Sequence, residues 1–434
     1  MGSDPRVLVL AADDELVGDL SRGLDALGWR TLTARSLGAG AAAVGDLKLE
    51  AVLIDMRTFG DLDSVAETLK AAARPRRLPV IAIGGDEADP AADLFARRPP
   101  HPAQAAIRLE QLTRAAITDE EFALRQATFA AQGHALTATE ADGGPLRVLV
   151  AGAADLRFLA LSNALEASGA EIVAAPTPYT AFDYLHESAF DAAVLWAGED
   201  PTPALSIASG MKRNTRLYHV PLTLYLRQST EIDLGELYNR GFADVAAADT
   251  PEDETAARVL ALARTHRRHQ SVRRALEAAR GSGLMDPSTG LFTRDLFASH
   301  LGRLAEGSRS RRRPLSVCVL RVADSEAIRK ARAQGWLDRA MPQIGAMVSR
   351  LVRVEDTAAR LASEIFALAL PATPAPAARI AAERIAAVIG CTAFDGGPDQ
   401  PPFVAEFQIG CAQLEPGEDP AAALERASRD LPGR

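Results

Sequence analysis

Cysteine is scarce in this chain: three in 434 residues, none of them in a CxxC pair, which rules out a disulfide framework. Cys318, Cys391 and Cys411 each lie inside an apolar segment and read as reduced core residues. No stretch approaches the roughly 18 uninterrupted apolar residues that a membrane-spanning helix needs. Positive charge is not in excess either. The formal net charge is -9, which argues against general affinity for DNA, RNA or an anionic membrane. The start, Met1-Gly2-Ser3-Asp4-Pro5, leads straight into a strand-like run, so no signal peptide is expected. A compositional mark of disorder is also lacking, with 47% hydrophobic and 24% charged residues. What is left is a cytoplasmic globular protein of about three domains, at roughly 150 residues each.

The first positive feature is an internal repeat. Arg6-Val7-Leu8-Val9-Leu10 and Arg147-Val148-Leu149-Val150-Ala151 begin 141 residues apart and have the apolar character of buried parallel strands. Glu50-Ala51-Val52-Leu53-Ile54-Asp55 and Asp191-Ala192-Ala193-Val194-Leu195-Trp196 repeat at that spacing, and Pro79-Val80-Ile81-Ala82-Ile83 and Pro221-Leu222-Thr223-Leu224-Tyr225 follow at 142. Ala- and Leu-rich helical patterns at 15–27 and 156–168 lie between these runs. The alternation predicts two doubly wound α/β domains, residues 1–116 and 146–264, each with a five-stranded parallel sheet. Both resemble the flavodoxin-like (CheY-like) receiver domains of two-component signalling.

Asp55 ends the third strand of the first unit, where open α/β sheets place reactive groups, and so suits a phospho-acceptor. The receiver resemblance implies Mg²⁺ there, held by an acidic pair directly after the first strand. That register reads Ala11-Ala12, with Asp13 and Asp14 displaced; Gly84 replaces the expected hydroxyl residue, and Arg98 the lysine before a proline. Asp55 is therefore open to two readings, a phosphorylation site or a polar strand end. A slipped metal site made of Asp13 or Asp14 with Asp55 remains compatible with the sequence. In the second unit Trp196 takes the acceptor position, Gly152-Ala153 replace the acidic pair, and Ala248 replaces the lysine. No phosphorylation is expected there, only packing, homodimerisation or a partner surface.

Residues 117–145 read as a connection with a helical stretch and an Ala-Asp-Gly-Gly-Pro hinge. Residues 265–284 read as a linker helix carrying Arg267, Arg268, Arg273 and Arg274 on a solvated face, and 308–313 as an exposed basic loop.

Asp286-Pro287-Ser288-Thr289-Gly290-Leu291-Phe292-Thr293-Arg294-Asp295-Leu296-Phe297 resembles the opening motif of GGDEF (diguanylate cyclase) domains, with Ser288 and Thr293 as departures. An α+β domain with a ferredoxin-like core is expected over 285–434. Cyclase chemistry needs two metal ions to clamp the triphosphate and activate a hydroxyl. The resemblance puts a metal-binding aspartate at Arg321 and a guanine-reading asparagine at Arg329. The signature hairpin is Ala362-Ser363-Glu364-Ile365, which crowds a turn that glycines would leave open, and Ile365 cannot ligate metal. The chain reaches Arg434 without the family's final phosphate-contacting segment. No synthesis of cyclic di-GMP is expected, and no catalytic residue is assigned.

The family's inhibitory product site is kept. Arg353 and Asp356 stand nine and six residues before Ala362, and Arg384 matches the site's second arginine. A guanidinium can bond phosphate or a guanine edge bidentately, and a carboxylate can accept from guanine N1–H and the exocyclic amine. In relatives a stacked pair of ligands also touches a neighbouring basic residue, for which Lys212 or Arg213 is the candidate, unless these are solvated helix-end charges. The whole arrangement resembles PopA-type cyclic di-GMP effectors. It implies an adaptor at a cell pole with RcdA-like and CtrA-like partners in ClpXP-type proteolysis and cell-cycle control. Two alternatives remain: a weak diguanylate cyclase, and a nucleotide-free scaffold switched through Asp55.

Overall fold

The computed structural model describes residues 5–84, 91–138, 144–153, 155–198, 200–214, 216–226, 236–237, 240–397 and 400–432. The chain divides into two compact units, Ser3–Ala116 with Glu140–Gln270, and Ile117–Thr139 with Ser271–Arg434.

Two sheets make up the first unit. The strands β1 (Arg6–Leu10), β2 (Arg30–Ala34), β3 (Ala51–Asp55), β4 (Val80–Ile83) and β5 (Leu94–Ala96) pair in parallel in the order β2-β1-β3-β4-β5. The strands β6 (Arg147–Ala151), β7 (Glu171–Ala175), β8 (Ala192–Ala197), β9 (Leu222–Leu226) and β10 (Asp244–Ala246) repeat that winding as β10-β9-β8-β6-β7. Helices cover both faces of a parallel sheet, so its central strands are apolar without alternation, as the buried runs of β3 and β8 show. The helix Asp14–Ala26 is capped by Asp13 and buries Leu16, Leu20 and Leu24, one every turn. Its counterpart Leu156–Ala167 is capped by Asp155 and buries Phe158, Leu161 and Leu165. The two expected five-stranded parallel sheets are present.

A buried ion cluster lies within this unit. Asp244 accepts from both Nε and Nη2 of Arg258 at 2.6 Å and from Nε2 of Gln104 at 3.0 Å, with Nη2 of Arg108 at 3.6 Å. Burial opposes ionisation of Asp244, but the Arg258 and Arg108 guanidinium groups outweigh it and hold the carboxyl far below the usual range. Asp244→Ala removes the carboxylate that two buried guanidinium groups share and is expected to cost about 3–5 kcal/mol, read as a lower urea midpoint. A loss under about 1 kcal/mol would contradict it. Because this pKa is depressed on folding, the contribution is present above the unfolded value of about 3.9 and is lost as pH falls below it.

The second unit is built on one antiparallel sheet. The strands β11 (Leu315–Val322), β12 (Thr357–Ala362), β13 (Ile365–Pro371) and β14 (Phe407–Gln413) run in the order β12-β13-β11-β14. This is the winding of a split β-α-β unit. Side chains alternate between two cores. Cys318 and Leu320 join the core under the helices Trp336–Leu351 and Ala375–Gly390. Val317 and Val319 join the other, with Phe297 and Leu301 of the helix Arg294–Arg311 and with Phe122 and Phe129.

Three polar stretches differ from expectation. The helix assigned to 265–284 begins at Glu252 and runs to Ala278, with a 3₁₀ turn Ala279–Ser282. Two of its arginines are pinned, Arg267 donating to Asp191 at 2.5 Å and Arg273 to the carbonyl of Val352 at 3.3 Å, while Arg274 is exposed as expected. The supposed basic loop at 308–313 is mostly helix. Arg294–Arg311 continues through it, Arg312 ends it at φ 54°, and the buried Arg313 donates to Glu120 at 2.5 Å. The partner carboxylate, far away in sequence, is what makes these arginines structural. Residues 139–143, including most of the expected hinge, lie outside the described residues. Among the described residues, no helix is long and apolar enough to cross a membrane.

Candidate functional site

Register fixes the carboxyl-end positions of the first sheet. Leu10 pairs with Ile54, and the next residue, Asp55, pairs with Ile83, at 1% exposure. Asp55 Oδ1 accepts from Arg98 Nη1, and Arg98 Nη2 donates to Asp13 Oδ2. Thr58 Oγ1 donates to Asp55 Oδ2 at 3.2 Å. The capping amides of Leu16 and Glu15, with the Arg98 guanidinium, hold Asp13 below the ordinary carboxylate range. Asp13 thus faces Asp55 as the sequence allowed, whereas Asp14 pairs with Arg35 instead. The cation between the two carboxylates is Arg98, whose planar fork spans both where a lysine would offer one amine. Arg98 holds the place between the two carboxylates that a metal cation would take. Among the described residues, no three His, Cys, Asp or Glu side chains gather to hold a metal. Arg98→Ala is expected to destabilise the unit and then to make its melting temperature rise with Mg²⁺, while wild type ignores the ion. Equal Mg²⁺ response in both proteins would contradict the assignment.

The same register in the second sheet pairs Ala151 with Leu195 and Trp196 with Tyr225. Trp196 stacks on Tyr225 at 4.2 Å between centroids and meets Phe158 edge-on at 5.7 Å. Gly152 has φ 147°, and a Cβ there would lie 2.4 Å from Trp196 Cβ. A side chain at 152 would collide with residue 196 at its Cβ. Arg157 lies over the Tyr225 ring and donates to Glu252 and to the carbonyl of Ala248. Of the two basic candidates that follow, Lys212 donates to the carbonyl of Tyr218 at 3.1 Å, and burial lowers its pKa to about 8. Arg213 is exposed and donates within its helix to the Ser209 carbonyl at 3.2 Å.

In the second unit the β12–β13 hairpin turns through Ser363 and Glu364, with Ala362 paired to Ile365. Arg321 is directly opposite Ile365 on the neighbouring strand. A cation and an aliphatic chain therefore face each other here. Arg321 donates to Gln408 Oε1 at 2.8 and 2.6 Å. Glu364, the remaining hairpin acid, is held bidentately by Arg332 at 2.6 and 2.8 Å. Arg329 pairs with Asp324 at 3.2 Å. Arg321, Arg329 and Arg332 thus each hold a fixed polar partner at this end of the sheet. Arg332 as the clamp on Glu364 was not foreseen from sequence.

At the other end of β12 the helix Trp336–Leu351 stops, and Arg353-Val354-Glu355-Asp356 closes a turn. Asp356 Oδ2 accepts from the Arg353 amide at 3.1 Å, and the Asp356 amide donates to the Arg353 carbonyl at 3.2 Å. Asp356 Oδ1 is buried and has no hydrogen-bond donor among the described residues. Burial above all, then the Glu355 charge, raises the Asp356 pKa to about 7 against the opposing pull of Arg353. Arg384, from the helix Ala375–Gly390, donates to the carbonyl of Leu351 at 3.1 Å, just before this turn. Arg353 and Asp356 thus share one turn and Arg384 contacts the end of the helix before it, with Arg353 and Arg384 exposed and the carboxyl buried.

Two features behind the turn were invisible in the sequence. Asp356 and Arg353 line a cleft of about 100 Å³ whose wall also includes Arg125, Arg273, Arg280 and Arg350. Arg125, fully buried, donates to the carbonyl of Asp356 at 2.8 Å, to Thr357 Oγ1 at 3.2 Å and to Glu121 Oε1 at 2.6 Å. Glu121 Oε1 also accepts from Thr357 Oγ1 at 3.2 Å and lies 2.9 Å from His300 Nε2. A buried polar network thereby fixes the backbone of the turn from inside.

Residues 283–432 match the family profile described as "Diguanylate cyclase, GGDEF domain". No curated protein matches the chain. Among solved structures it is similar to the GGDEF domain of DgcB from Caulobacter crescentus in complex with c-di-GMP, at 20% identity over 34% of this chain and 84% of that one, TM-score 0.32. It is similar to the GGDEF domain of FimX from Pseudomonas aeruginosa, at 20% over 34% and 90%, TM-score 0.31. A third similarity is to the diguanylate cyclase SiaD in complex with its activator SiaC from Pseudomonas aeruginosa, at 22% over 45% and 70%, TM-score 0.32. The part of the chain from 283 to 432 is a GGDEF domain.

Proposed function

We propose that this GGDEF domain binds cyclic di-GMP at Arg353, Asp356 and Arg384 and does not make it. The observation that carries this reading is the buried Oδ1 of Asp356, without a donor among the described residues, in a domain where the resemblance's metal positions are Arg321 on β11 and Ile365 on β13. A buried acceptor without a donor costs about 1–3 kcal/mol, which a ligand donor would recover. Cyclic di-GMP offers guanine N1–H and amine donors for the carboxylate, and phosphate and guanine acceptors that can compete for the guanidinium groups. The Asp356 carboxylate has to turn from the Arg353 amide toward the ligand for this.

The two parallel-sheet domains serve as degenerate receivers, the first with its acceptor neutralised by Arg98 and the second with its site filled by Trp196. Neither then transfers phosphoryl groups, and the ligand is the signal. The readout is protein recruitment of the PopA type, with RcdA-like and CtrA-like partners in a ClpXP-type pathway at a cell pole. No bond is made or broken in this scheme.

Calorimetric titration of cyclic di-GMP into wild type and Arg353→Ala tests the site. Loss of charge-assisted hydrogen bonds worth about 1.5–3 kcal/mol weakens binding roughly ten- to hundredfold. Equal heats from both proteins defeat the assignment. Incubation with GTP and Mg²⁺ is expected to yield no cyclic di-GMP above a heat-killed control, and product above it would restore the cyclase alternative.

A further inference from the structure

Cys318 on β11 and Cys411 on β14 are direct cross-strand partners. Their sulfur atoms lie 2.7 Å apart. The Cys411 amide turns away from β11 to donate to Asp430 Oδ2 at 3.0 Å, which marks the pair as a non-hydrogen-bonded one. Opposed Cα atoms at such positions are about 4.5 Å apart, inside the disulfide range of about 4.4–6.8 Å. The bond can therefore form without moving either strand far.

The two thiols differ in a way that assigns roles. Cys318 is fully buried, its sulfur 3.6 Å from the carbonyl of Ala378. Cys411 is half-buried on the edge strand, near Arg379, which itself pairs with Asp430. The hydrogen bond shared with Cys318, and then the Arg379 charge, hold the Cys411 thiol below its ordinary range; that hydrogen bond and burial push Cys318 up. A half-exposed sulfur beside a guanidinium is the environment of a reactive cysteine.

We propose that Cys318 and Cys411 form a redox modification site that a hydroperoxide converts reversibly into a cross-strand disulfide. The Cys411 thiolate attacks the peroxide, the O–O bond breaks, and Cys411 sulfenic acid forms with release of the alcohol or water. Cys318 then attacks the Cys411 sulfur. The S–S bond forms, the S–O bond breaks, and hydroxide leaves with the Cys318 proton as water. In sum two thiols and one peroxide give a disulfide, water and an alcohol or a second water; a dithiol reductant reverses it.

The full chain carrying Cys391→Ser, which removes the exposed third thiol, is treated with hydrogen peroxide and alkylated with N-ethylmaleimide. Expected are an intact mass about 2 Da lower with no alkylation, a 318–411 cross-linked peptide, and return of two reactive thiols with dithiothreitol. Added oxygen on either cysteine without the cross-link overturns the site. In a Cys318→Ser background Cys411 is expected to stop at a dimedone-reactive sulfenic acid. In a Cys411→Ser background Cys318 is expected to stay unoxidised; equal oxidation there overturns the attacking role of Cys411. Because the readout is covalent, the result does not depend on nucleotide binding.

Discussion

Arg125→Ala is expected to lower the unfolding free energy by roughly 3–5 kcal/mol, one of the two largest effects expected of any single change in this chain. The guanidinium is fully buried and makes three hydrogen bonds, to Glu121, Thr357 and the Asp356 carbonyl. Truncation leaves Glu121 as a buried carboxylate with a hydroxyl and an imidazole for partners, and strips a donor from the backbone of the 353–356 turn. Urea denaturation reads the loss as a shift in midpoint at constant slope. Replacing the pair together, Glu121→Leu with Arg125→Met, is expected to recover part of it, because an apolar pair of similar volume avoids the unpaired charge. If Arg125→Ala costs under about 1 kcal/mol, the network is not what fixes the turn.

Cyclic di-GMP affinity is expected to fall about tenfold per pH unit below 7, so that it is roughly a hundredfold weaker at pH 5 than at pH 8. The sign follows from Asp356. In the free protein burial raises its pKa to about 7, and a carboxyl accepting two guanine donors must be ionised. Below pH 7 the ligand therefore has to displace a proton, so binding releases about half a proton at pH 7 and close to one at about pH 5–6. For the unliganded fold the direction is opposite. A raised carboxyl pKa stabilises the folded state fully below the unfolded value of about 3.9, and this is lost as pH rises through 7. The melting-temperature gain on adding ligand should grow from pH 5 to 8. Calorimetry in buffers of different ionisation enthalpy measures the proton count, and zero protons with a flat affinity profile would remove Asp356 from the recognition.

The parallel sheets were legible because strands covered on both faces are written as unbroken apolar runs, and the repeat doubled the signal. The same logic located Asp55 and Trp196, which are equivalent by register as well as by spacing. What sequence could not show was which distant side chain answers which charge. Arg98 was recognisable as a departure from lysine, but that its fork bridges Asp13 and Asp55 depends on two loops meeting. The arginines of 308–313 look solvated until Glu120 is placed against Arg313. The RxxD spacing gave the loop but not the burial of Asp356, because the residue that seals it from behind, Arg125, comes 231 residues earlier. Cys318 and Cys411 looked like unrelated core residues until strand register made them partners.

A crystal structure of the protein with cyclic di-GMP bears most closely on the proposal as a whole. Expected is a guanine whose N1–H and amine reach Asp356 Oδ1, with the Arg353 and Arg384 guanidinium groups on its edge or on a phosphate, and nothing bound at the Ser363–Glu364 hairpin. Density for the dinucleotide at that hairpin, with Asp356 still turned to the Arg353 amide, would contradict it.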